Sequence, residues 1–481
     1  MASISSSALP HVAIFPFMSK GHTIPVIHLA HLFRRRRRRL ATLTFFTTPL
    51  NAPFIRDSLA GTDASVVELP FPENVPTLPP SIERTDRLPD MSLLMPFIDA
   101  LRPEPRLLKS HFEQALGNLL PAISLLISGP FLPWTNESAL KFGIPRISFY
   151  GCANFAILIK TICARGILQT GLDNDRQPFM VPGFPHLRLT KADVGKPFDD
   201  PNPQHPMYVF DVEVTKATNE SYGMVANSFY ELEPAYVDHW NDNIGPKVWC
   251  VGPLCLARPK AEPAERRSEW MEWLDSRSAM NRPVVFVAFG SQAEISVPQL
   301  KEIAAGLERS GLDFLWVVRA KGVDLGEGLE ERVAERGRVV REWADQLEIL
   351  RHEIESVRGF VSHCGWNSVI EGISAGVPLL AWPMIAEQPT NAKFVADELR
   401  IGLRIRASDG TRDGLVRRED VERMVRELML GEKGKEAAEN VKSLAQAARM
   451  AMEGGSSWQE LKQMIDEVCA IRKAEVYLPQ S

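Results

Sequence analysis

The first fifty residues alternate short apolar runs with a helical pattern, and this alternation limits the folds that the chain can adopt. Residues 11–17 form an apolar run, and residues 24–33 carry apolar side chains at helical spacing. Residues 41–48 are rich in β-branched and aromatic side chains, and residues 19–21 form a turn between the first two segments. A strand–helix–strand unit of this length predicts two parallel strands joined by a right-handed crossover.

The same alternation returns in the second half of the chain. Residues 283–290, 314–319, 359–362 and 379–382 have the apolar character of buried strands, and residues 297–307 have that of a helix. Such units in both halves predict an α/β fold with two facing, doubly wound Rossmann-like domains. Ligands of such sheets bind at the carboxyl ends of the strands, so the expected site is the cleft between the domains.

A polar segment separates the two halves. The chain has 481 residues, more than one ordinary domain, and residues 256–267 are rich in Ala, Pro, Lys, Arg and Glu. The sequence therefore predicts an N-terminal domain over residues 1–255, a linker over 256–275, a C-terminal domain over 276–456, and a helix over 457–481 that packs back toward the N-terminal domain.

Composition and charge exclude several classes of function. With 45% hydrophobic and 24% charged residues, the chain has the composition of a globular protein. Its formal net charge of -5 argues against a nucleic-acid partner. No stretch approaches the roughly 20 apolar residues that span a bilayer. The six cysteines lack metal-ligand spacing, which favours free thiols in a reducing compartment, so we expect a cytoplasmic protein.

Six arginines run from Arg34 to Arg39. Such a run occurs in nuclear-import signals and in patches that bind polyanions. Because this run follows a predicted helix, we interpret it as a solvated helix C-terminus, where cations meet the negative end of the helix dipole.

The most informative segment runs from residue 343 to residue 388. A strand ends in the sequence GFVS, and HCGWNS then turns into a helix that we expect to begin near Asn367 or Ser368. The N-terminus of a helix offers backbone N–H groups and a positive dipole end, which suit a pyrophosphate. Gly365 allows close approach of the backbone, and His363 adds a side-chain donor.

Other residues of this segment suit the rest of a nucleotide sugar. Glu371 lies on the same helical face as Asn367 and can accept hydrogen bonds from ribose hydroxyls. Trp343 offers a flat face for a base. Glu387 and Gln388 supply acceptors and donors for sugar hydroxyls.

With these residues, the segment resembles the signature box of plant secondary-product glycosyltransferases, the family 1 inverting enzymes that use UDP-sugars and have the two-domain GT-B fold. The resemblance extends over most of the chain, including GHTIP near the N-terminus, CVGPL before the linker and FGS after the first C-terminal strand. It implies that the N-terminal domain binds the acceptor and the C-terminal domain binds the UDP-sugar.

The resemblance also implies a role for each matching residue of the box. A terminal glutamine in this box is associated with glucose, which makes UDP-glucose the expected co-substrate. The implied contacts are uracil with Trp343 and the backbone of Ala344, ribose with Gln346 and Glu371, the phosphates with Ser291, His363, Asn367 and Ser368, and the sugar with Trp366, Glu387 and Gln388.

Two features of the box depart from the family pattern. It reads WADQ where the family has WAPQ, which places Asp345 at the position of a proline. It is also two residues longer, with the excess within residues 352–360. We expect the extra residues to bulge into the loop between the parts that bind the base and the phosphates.

His22 lies in the turn after the first strand and is the candidate catalytic base. The unperturbed histidine pKa of about 6.5 suits removal of a proton from an acceptor hydroxyl near neutral pH. A lone histidine is often only structural, and the resemblance adds weight to the catalytic interpretation. The acceptor would attack the anomeric carbon opposite the leaving UDP, giving a β-glucoside. His28 and His31 are interpreted as residues of the helix surface, and no metal site is expected.

The resemblance implies an aspartate that orients the base, yet Gly129 occupies the matching position. In catalytic triads, neutralising the orienting acid lowers the rate by about 10⁴-fold. Three explanations remain open. Another acid, such as Asp99 or Glu137, substitutes for it. The acceptor is acidic enough to need little help. Alternatively, a phenolate forms a carbon–carbon bond, so that the product is a C-glucoside rather than a β-O-glucoside.

The acceptor is expected to be a small phenolic or flavonoid compound, held by apolar and aromatic N-terminal loops. With UDP-glucose as co-substrate, no cofactor or metal and a monomeric state are expected. The candidate acceptor-binding residues are Phe17, Met91, Leu94, Phe131 and Tyr150.

Three other interpretations compete with this one. Asp173-Asn174-Asp175 matches the D-x-D pattern of metal-dependent glycosyltransferases, although no strand precedes it. Gly129 is also compatible with a non-catalytic protein that binds UDP-sugars, whereas His22 argues against it. A nucleic-acid-binding module based on the arginine run conflicts with the acidic balance of the chain.

Overall fold

The structure is a computed structural model of the full chain. It describes residues 9–34, 39–72, 75, 78–102, 107–165, 177–198, 202–259, 268–319, 322–352, 356–407 and 414–477, and the side chains of these residues up to 471. The triplet Asp173-Asn174-Asp175, four of the six arginines in the run and residues 260–267 of the predicted linker lie outside the described residues.

The β-strands of the described residues are short and mostly buried. They are β1 (His11–Phe15), β2 (Thr42–Thr47), β3 (Ser65–Glu68), β4 (Ile123–Ser128), β5 (Arg146–Tyr150), β6 (Phe179–Val181), β7 (Phe184–Leu189), β8 (Gly223–Ala226), β9 (Val248–Cys250), β10 (Val284–Ala288), β11 (Asp313–Val317), β12 (Gly337–Val340), β13 (Val357–Ser362), β14 (Leu379–Ala381) and β15 (Gly402–Arg404).

Helices connect most of these strands. They are α1 (Lys20–Phe33), α2 (Ala52–Ser58), α3 (Leu94–Ala100), α4 (Leu108–Gly117), α5 (Thr135–Lys141), α6 (Asn154–Ala164), α7 (Lys191–Val194), α8 (Pro206–Asn219), α9 (Pro234–Asn243), α10 (Glu269–Ala279), α11 (Val297–Ser310), α12 (Leu329–Arg332), α13 (Gln346–Leu350), α14 (Trp366–Ala375), α15 (Gln388–Lys393), α16 (Arg418–Leu430), α17 (Glu432–Met452) and α18 (Ser456–Tyr477).

Two parallel sheets confirm the predicted doubly wound α/β fold of the GT-B type. The first sheet has seven strands in the order β3-β2-β1-β4-β5-β8-β9, and the second has six in the order β12-β11-β10-β13-β14-β15. In each sheet the strand order reverses beside the first strand, between β1 and β4 and between β10 and β13. Doubly wound sheets bind their ligands at the carboxyl ends of the strands beside this switch point.

The chain divides into two compact units, each built from more than one segment. The first unit comprises Met1–Asn154, Asn202–Pro259 and Ala451–Ser481, and the second comprises Phe155–Pro201 and Lys260–Met450. This division differs from the predicted boundaries because residues 155–201 group with the second unit.

Contacts within the second unit explain why residues 155–201 belong to it. The Phe155 ring stacks on Phe394 with centroids 4.6 Å apart. Arg404 Nη1 donates to Asp193 Oδ1 at 2.5 Å, and Thr390 Oγ1 donates to the carbonyl oxygen of Asp193 at 2.8 Å. Asp193 is almost fully buried, and its charge is matched by Arg404, which holds this segment firmly.

The core of the first unit covers both faces of its sheet. One face packs Val12, Phe45 and Phe149 with side chains of α1 and α18. The residues that α18 contributes are Trp458, Leu461, Met464, Ile465 and Val468. The other face packs Phe15, Phe112 and Trp134, whose rings lie 5.2 to 6.0 Å apart. Burial of such apolar area is the main stabilising contribution to the unit.

A core of the second unit lies on one face of its sheet, where Val285, Trp316 and Val361 meet α11 and α16. Local signals set the limits of α11. Ser296 Oγ accepts the N–H of Gln299, as an N-cap residue does, and Gly311 ends the helix at φ 70°.

Two further observations concern the sequence predictions. Arg34 and Arg39, the described ends of the arginine run, both contact Asp63, at 2.5 Å and 3.7 Å, after α1 ends at Phe33. Within the described residues, no helix is both long and apolar enough to cross a membrane.

Candidate active site

The candidate donor site lies at the switch point of the second sheet. Strands β10 and β13 are parallel neighbours, and their last residues, Ala288 and Ser362, pair directly. The chain after β10 leads to Ser291, and the chain after β13 leads to His363. Parallel pairing therefore brings two predicted phosphate-binding residues to the same edge of the sheet.

His363 is enclosed by two glycines. A Cβ atom on Gly290, which has φ +73°, would lie 2.6 Å from His363 Nε2, and a Cβ on Gly365 would lie 2.5 Å from it. Any side chain at either position would displace the ring. Burial lowers the pKa of His363 to about 4, so the imidazole is neutral at physiological pH. Its Nδ1 atom is buried and has no hydrogen-bond partner in the described part of the chain.

The helix after this loop begins earlier than predicted. Helix α14 starts at Trp366 with Gly365 at its N-cap, so Asn367 and Ser368 lie inside the first turn and neither caps the helix. Cys364 adopts a left-handed conformation with φ 61° just before it, which turns the chain directly from strand to helix. The predicted start was wrong because Asn and Ser were interpreted as caps, whereas the tight turn moves the helix start toward the strand.

Hydrogen bonds hold this turn from both sides. Ser362 Oγ accepts the N–H of Cys364 at 3.1 Å, and Asn391 Nδ2 donates to the carbonyl oxygen of Cys364 at 2.9 Å. Asn391 is fully buried and was not identified from the sequence. Its signal is an asparagine three residues beyond the box, on the short helix α15.

The two predicted ribose-binding residues are in direct contact. Gln346 Nε2 donates to Glu371 Oε2 at 2.6 Å and to Ser368 Oγ at 2.9 Å. This triplet joins the start of α13 to the first two turns of α14. A charge-assisted bond of this kind fixes the orientation of both side chains.

The aspartate that departs from the family pattern has a structural role. Asp345 is the N-cap of α13, and its Oδ1 accepts the N–H of Glu348 at 3.1 Å. It therefore sets the start of the helix on which Gln346 is the first residue. Trp343, two residues earlier, is 67% exposed, whereas Ala344 is buried. An indole exposed to this extent offers apolar surface to a base.

The predicted sugar-binding residues follow β14. Gln388 Oε1 accepts the N–H groups of Met384 and Ile385, both at 2.9 Å, so the amide nitrogen is the group left to donate to a ligand. Burial raises the pKa of Glu387, and Lys160 partly offsets this effect. Trp366, the third predicted sugar contact, is buried, with its ring 6.4 Å from that of Phe394.

The segment predicted to contain the two-residue extension, residues 352–360, runs into β13. Residues 353–355 are outside the described residues, and the flanking residues are well anchored. His352 lies 2.8 Å from both Ser356 Oγ and Asp275 Oδ1, through its Nδ1 and Nε2 atoms respectively. Beyond this anchor, Gly359 to Ser362 keep regular pairing with β10.

His22 lies at the corresponding edge of the first sheet, in the first turn of α1. The predicted turn at residues 19–21 is partly helical, because α1 begins at Lys20 and Ser19 occupies the N-cap position. The imidazole ring lies 5.4 Å from the ring of Phe17 and 5.1 Å from that of Phe131, measured between centroids. Two aromatic rings therefore line one side of the candidate base.

Gly129, at the end of β4, is in close contact with the loop that follows β1. A Cβ atom on Gly129 would lie 2.8 Å from the backbone nitrogen of Phe17. The N–H of Gly129 donates to the carbonyl oxygen of Phe15 at 2.9 Å. The backbone here thus occupies the space that a side chain at residue 129 would need.

The two proposed substitute acids are paired with surface cations. Asp99 contacts Arg102 at 3.0 Å, and Glu137 contacts Lys109 at 2.5 Å. Both carboxylates are more than half exposed. These ion pairs give no support to either residue as the acid that orients His22.

The candidate acceptor residues differ in their environments. Phe17 is buried in the core, and Phe131 and Leu94 pack against that core. Met91 is half-buried in a short 3-10 turn. Tyr150 is buried, and its hydroxyl lies 3.0 Å from Thr218 Oγ1. Of these candidates, Phe17 and Phe131 have rings that contact the imidazole of His22.

No group of three or more His, Cys, Asp or Glu residues in the described part of the chain is arranged to hold a metal ion.

Comparisons with known proteins relate these features to a family. The family described as "UDP-glucoronosyl and UDP-glucosyl transferase" matches residues 207–446. The chain is 46% identical over 473 residues to UDP-glycosyltransferase 90A1 of Arabidopsis thaliana, covering 96% of this chain and 97% of the relative. It is 35% identical over 483 residues to UDP-glucose flavonoid 3-O-glucosyltransferase 7 of Fragaria ananassa, covering 95% and 96%.

A solved structure agrees with these relatives. The crystal structure of UGT73P12 of Glycyrrhiza uralensis, complexed with glycyrrhetinic acid 3-O-monoglucuronide, matches with a TM-score of 0.84 and 30% identity over 98% of this chain and 97% of that one. The resemblance seen in the signature box is thereby confirmed, and the chain belongs to family 1 of the plant UDP-dependent glycosyltransferases.

Proposed function

We propose that this enzyme transfers glucose from UDP-glucose to a hydroxyl group of a small phenolic or flavonoid acceptor, with inversion at the anomeric carbon. The observation that carries the proposal is the contact of Gln346 with Glu371 and Ser368, beside the enclosed His363. This arrangement offers a carboxylate for ribose hydroxyls, and N–H and hydroxyl donors for the phosphates. The relative from Fragaria ananassa is named for the same donor and a flavonoid acceptor.

The donor groups suit a charge that grows on UDP during the reaction. His363 is neutral because burial lowers its pKa to about 4, so it would donate an N–H bond to a phosphate oxygen. The N-terminus of α14 adds its dipole. Fixed donors of this kind stabilise the leaving group without reorganisation. We propose that they do so without a metal ion.

His22 is the proposed base. It would accept the proton of the acceptor hydroxyl while the oxygen attacks the anomeric carbon, and the electron pair of the broken C–O bond would leave with UDP. Attack opposite the leaving group gives a β-O-glucoside from an α-linked donor. A C-glucoside remains the alternative product, because Gly129 cannot supply the orienting carboxylate that the family resemblance implies.

The first test is incubation of the protein with UDP-glucose and a panel of polyphenols that includes a dihydrochalcone with a phloroglucinol-type ring, followed by mass spectrometry. We expect a mass gain of one hexosyl unit that is lost in His22→Ala. His31→Ala is the matched control, because His31 lies on the same helix and bonds the carbonyl oxygen of Ser58. Resistance of the product to acid would identify a carbon–carbon linkage.

A second candidate function is a non-catalytic protein that binds UDP-sugars. The glycine at residue 129 favours it, because glycine cannot orient a base. In that case UDP would bind in calorimetry, whereas no acceptor of the panel would gain mass. We further propose that the enzyme is a cytoplasmic monomer, in line with the scattered positions of its six cysteines and its acidic balance.

A further inference from the structure

Arg146 is a buried cation at the start of strand β5. Its residue surface is 2% exposed, within a strand whose other residues are also buried. Its guanidinium donates only to neutral oxygen atoms: to Ser221 Oγ at 2.7 Å, Ser128 Oγ at 2.8 Å, Thr135 Oγ1 at 3.1 Å and the carbonyl oxygens of Ala217 at 3.3 Å and Gly129 at 3.5 Å.

In the described part of the chain, no carboxylate pairs with Arg146. The titratable side chain near it is Tyr150, on the same strand, and the groups that face it from β4, α5, α8 and the turn after α8 are hydroxyls and carbonyls. Burial lowers its pKa to about 10, which still leaves the guanidinium charged at neutral pH. Hydrogen bonds to neutral oxygens solvate this charge but do not cancel it.

The charge is connected to the candidate base through two intervening residues. Arg146 Nη2 contacts the carbonyl oxygen of Gly129. A Cβ atom built on Gly129 would lie 2.8 Å from the backbone nitrogen of Phe17, so the two backbones are in close contact, and the Phe17 ring contacts the ring of His22. Three consecutive contacts therefore connect the guanidinium to the imidazole. The field of a buried charge is only weakly screened by salt.

Glycine at residue 129 removes the group that would oppose this charge. A carboxylate at this position, as in the family pattern, would lie close to Arg146 and offset its field. With glycine at residue 129, Arg146 contributes a positive potential at this end of β4 that no carboxylate of the described residues neutralises by pairing with it. Such a potential favours an anion at the acceptor position and disfavours further protonation of a nearby imidazole.

We propose that Arg146 adapts the site to acceptors that react as phenolates, so that the enzyme selects acidic phenolic hydroxyls over aliphatic ones. This inference rests on the proposed function of the same site. For such acceptors, proton transfer precedes attack instead of accompanying it: the phenol first loses its proton to solvent by way of His22. The phenolate oxygen then forms a bond to the anomeric carbon, and the bond from that carbon to UDP breaks with its electron pair on the β-phosphate.

The test measures kcat as a function of pH for a series of substituted phenols, from 4-nitrophenol to phenol, and for benzyl alcohol. We expect benzyl alcohol to react far more slowly than any phenol. The pKa of phenol is near the value of about 10 for tyrosine. With this acceptor, kcat should rise with pH as the phenol ionises, and we expect Arg146→Met to move this rising limb of the pH profile to higher pH. The shift should be about one pH unit, since a unit charge on the order of 10 Å away at an effective dielectric constant of about 20 changes an ionisation by roughly tenfold.

Two variants separate the charge from the hydrogen bonds. Arg146→Lys keeps the charge and should keep the position of the limb. Ser221→Ala removes a hydrogen-bond acceptor but not the charge, and it should lower stability without moving the limb. A slower Arg146→Met enzyme with an unshifted limb would overturn the proposal, since Arg146 would then only hold the loop.

Other outcomes also decide between the proposals. If Arg146→Met does not fold, comparison of phenols with benzyl alcohol in the unmodified enzyme still tests the inference, and equal rates would refute it. If the unmodified enzyme transfers glucose to no acceptor at all, the proposed function fails instead.

Discussion

Gly129 shows how one residue can restrict both the fold and the chemistry of the site. Its α-carbon lies against the backbone of Phe17, with 2.8 Å between the Phe17 nitrogen and the position of a Cβ. Backbone atoms cannot turn away as a flexible side chain can. The first sheet must therefore shift locally before any other residue can occupy this position.

We expect Gly129→Ala to lower the free energy of unfolding by about 1–3 kcal/mol, the usual cost of overpacking. Urea unfolding followed by circular dichroism measures it. Gly117→Ala is the matched control, because the nearest atom to a Cβ there is a ring carbon of Phe142 at 3.8 Å. A Gly129→Ala protein as stable as the control would show that the contact relaxes easily. Gly129→Asp should carry the same penalty, so its activity must be compared at equal folded fraction.

His363 predicts a pH dependence of stability. Burial lowers its pKa from 6.5 to about 4, so between these values the unfolded chain binds a proton that the folded chain does not. Its contribution to stability is complete above pH 6.5 and is lost as the pH falls toward 4. We expect the free energy of unfolding to drop by about 1 kcal/mol more in the unmodified protein than in His363→Asn between pH 7.5 and 5.5. Urea unfolding measures both proteins, and an equal drop in the free energy of unfolding for the two would contradict the prediction.

For single residues, the sequence predicted which residues belong to the candidate site better than it predicted what surrounds each of them. Gln346 and Glu371 were predicted to bind the ribose and Ser368 a phosphate of the same ligand. In the structure, Gln346 donates hydrogen bonds to both Glu371 and Ser368. The environment of Gly129 depends on the backbone of the loop after β1, more than a hundred residues away. Arg146 stood out only weakly in the sequence, as an arginine within an apolar strand. Its environment could not be predicted, because its five neutral partners come from four separate parts of the chain.

At the level of elements, α13 is a short helix whose position depends on its cap. Five residues form too few hydrogen bonds to be stable alone, so the bond from the Glu348 N–H to Asp345 contributes much to its start. Because Gln346 is the first residue of this helix, a frayed start would also loosen the contact with Glu371.

We expect Asp345→Ala to weaken UDP binding about fivefold, which corresponds to a cap of about 1 kcal/mol. Isothermal titration calorimetry with UDP measures the change. Asp345→Asn is the control, since asparagine caps helices as well as aspartate does. A loss of the same size in both variants would indicate that the charge matters rather than the cap.

The elements themselves were largely predictable. The predicted strands at 283–290 and 379–382 correspond to β10 and β14, and the predicted helix at 297–307 corresponds to α11, each within a few residues. These elements follow the apolar periodicity of the sequence. The assignment of residues 155–201 could not be predicted, because it depends on the partners of Asp193 and Phe155 far along the chain.

At the level of the whole molecule, the last helix belongs to the first unit and carries a buried acid. The N–H of Cys250 donates to Glu460 on α18. Burial raises the pKa of Glu460 from 4.5 to about 7, although the Cys250 bond and Lys247 lower it in part. Lys247 also pairs with Glu467 at 2.6 Å, so several groups connect α18 to β9 and the loop before it.

The sign of this shift predicts lower stability at higher pH. Between pH 4.5 and 7 the folded chain keeps a proton that the unfolded chain releases, so the contribution of Glu460 to stability declines as the pH rises through this window. We expect Glu460→Gln to raise the free energy of unfolding at pH 8 by about 1–2 kcal/mol and to have little effect at pH 4.5, after allowance for partial exposure. Thermal unfolding at both pH values measures the change in the free energy of unfolding that Glu460→Gln causes. A change of the same size at both pH values would refute the prediction.

The dependence of the first core on α18 also has a consequence for synthesis on the ribosome. Five apolar side chains between Trp458 and Val468 complete a core that begins at Val12. The second sheet has all six of its strands by Arg404. Protein domains commonly fold in the order in which they are made. Here the unit that begins to be synthesised first is completed last, so part of the apolar face of its nascent sheet stays uncovered until α18 has been translated.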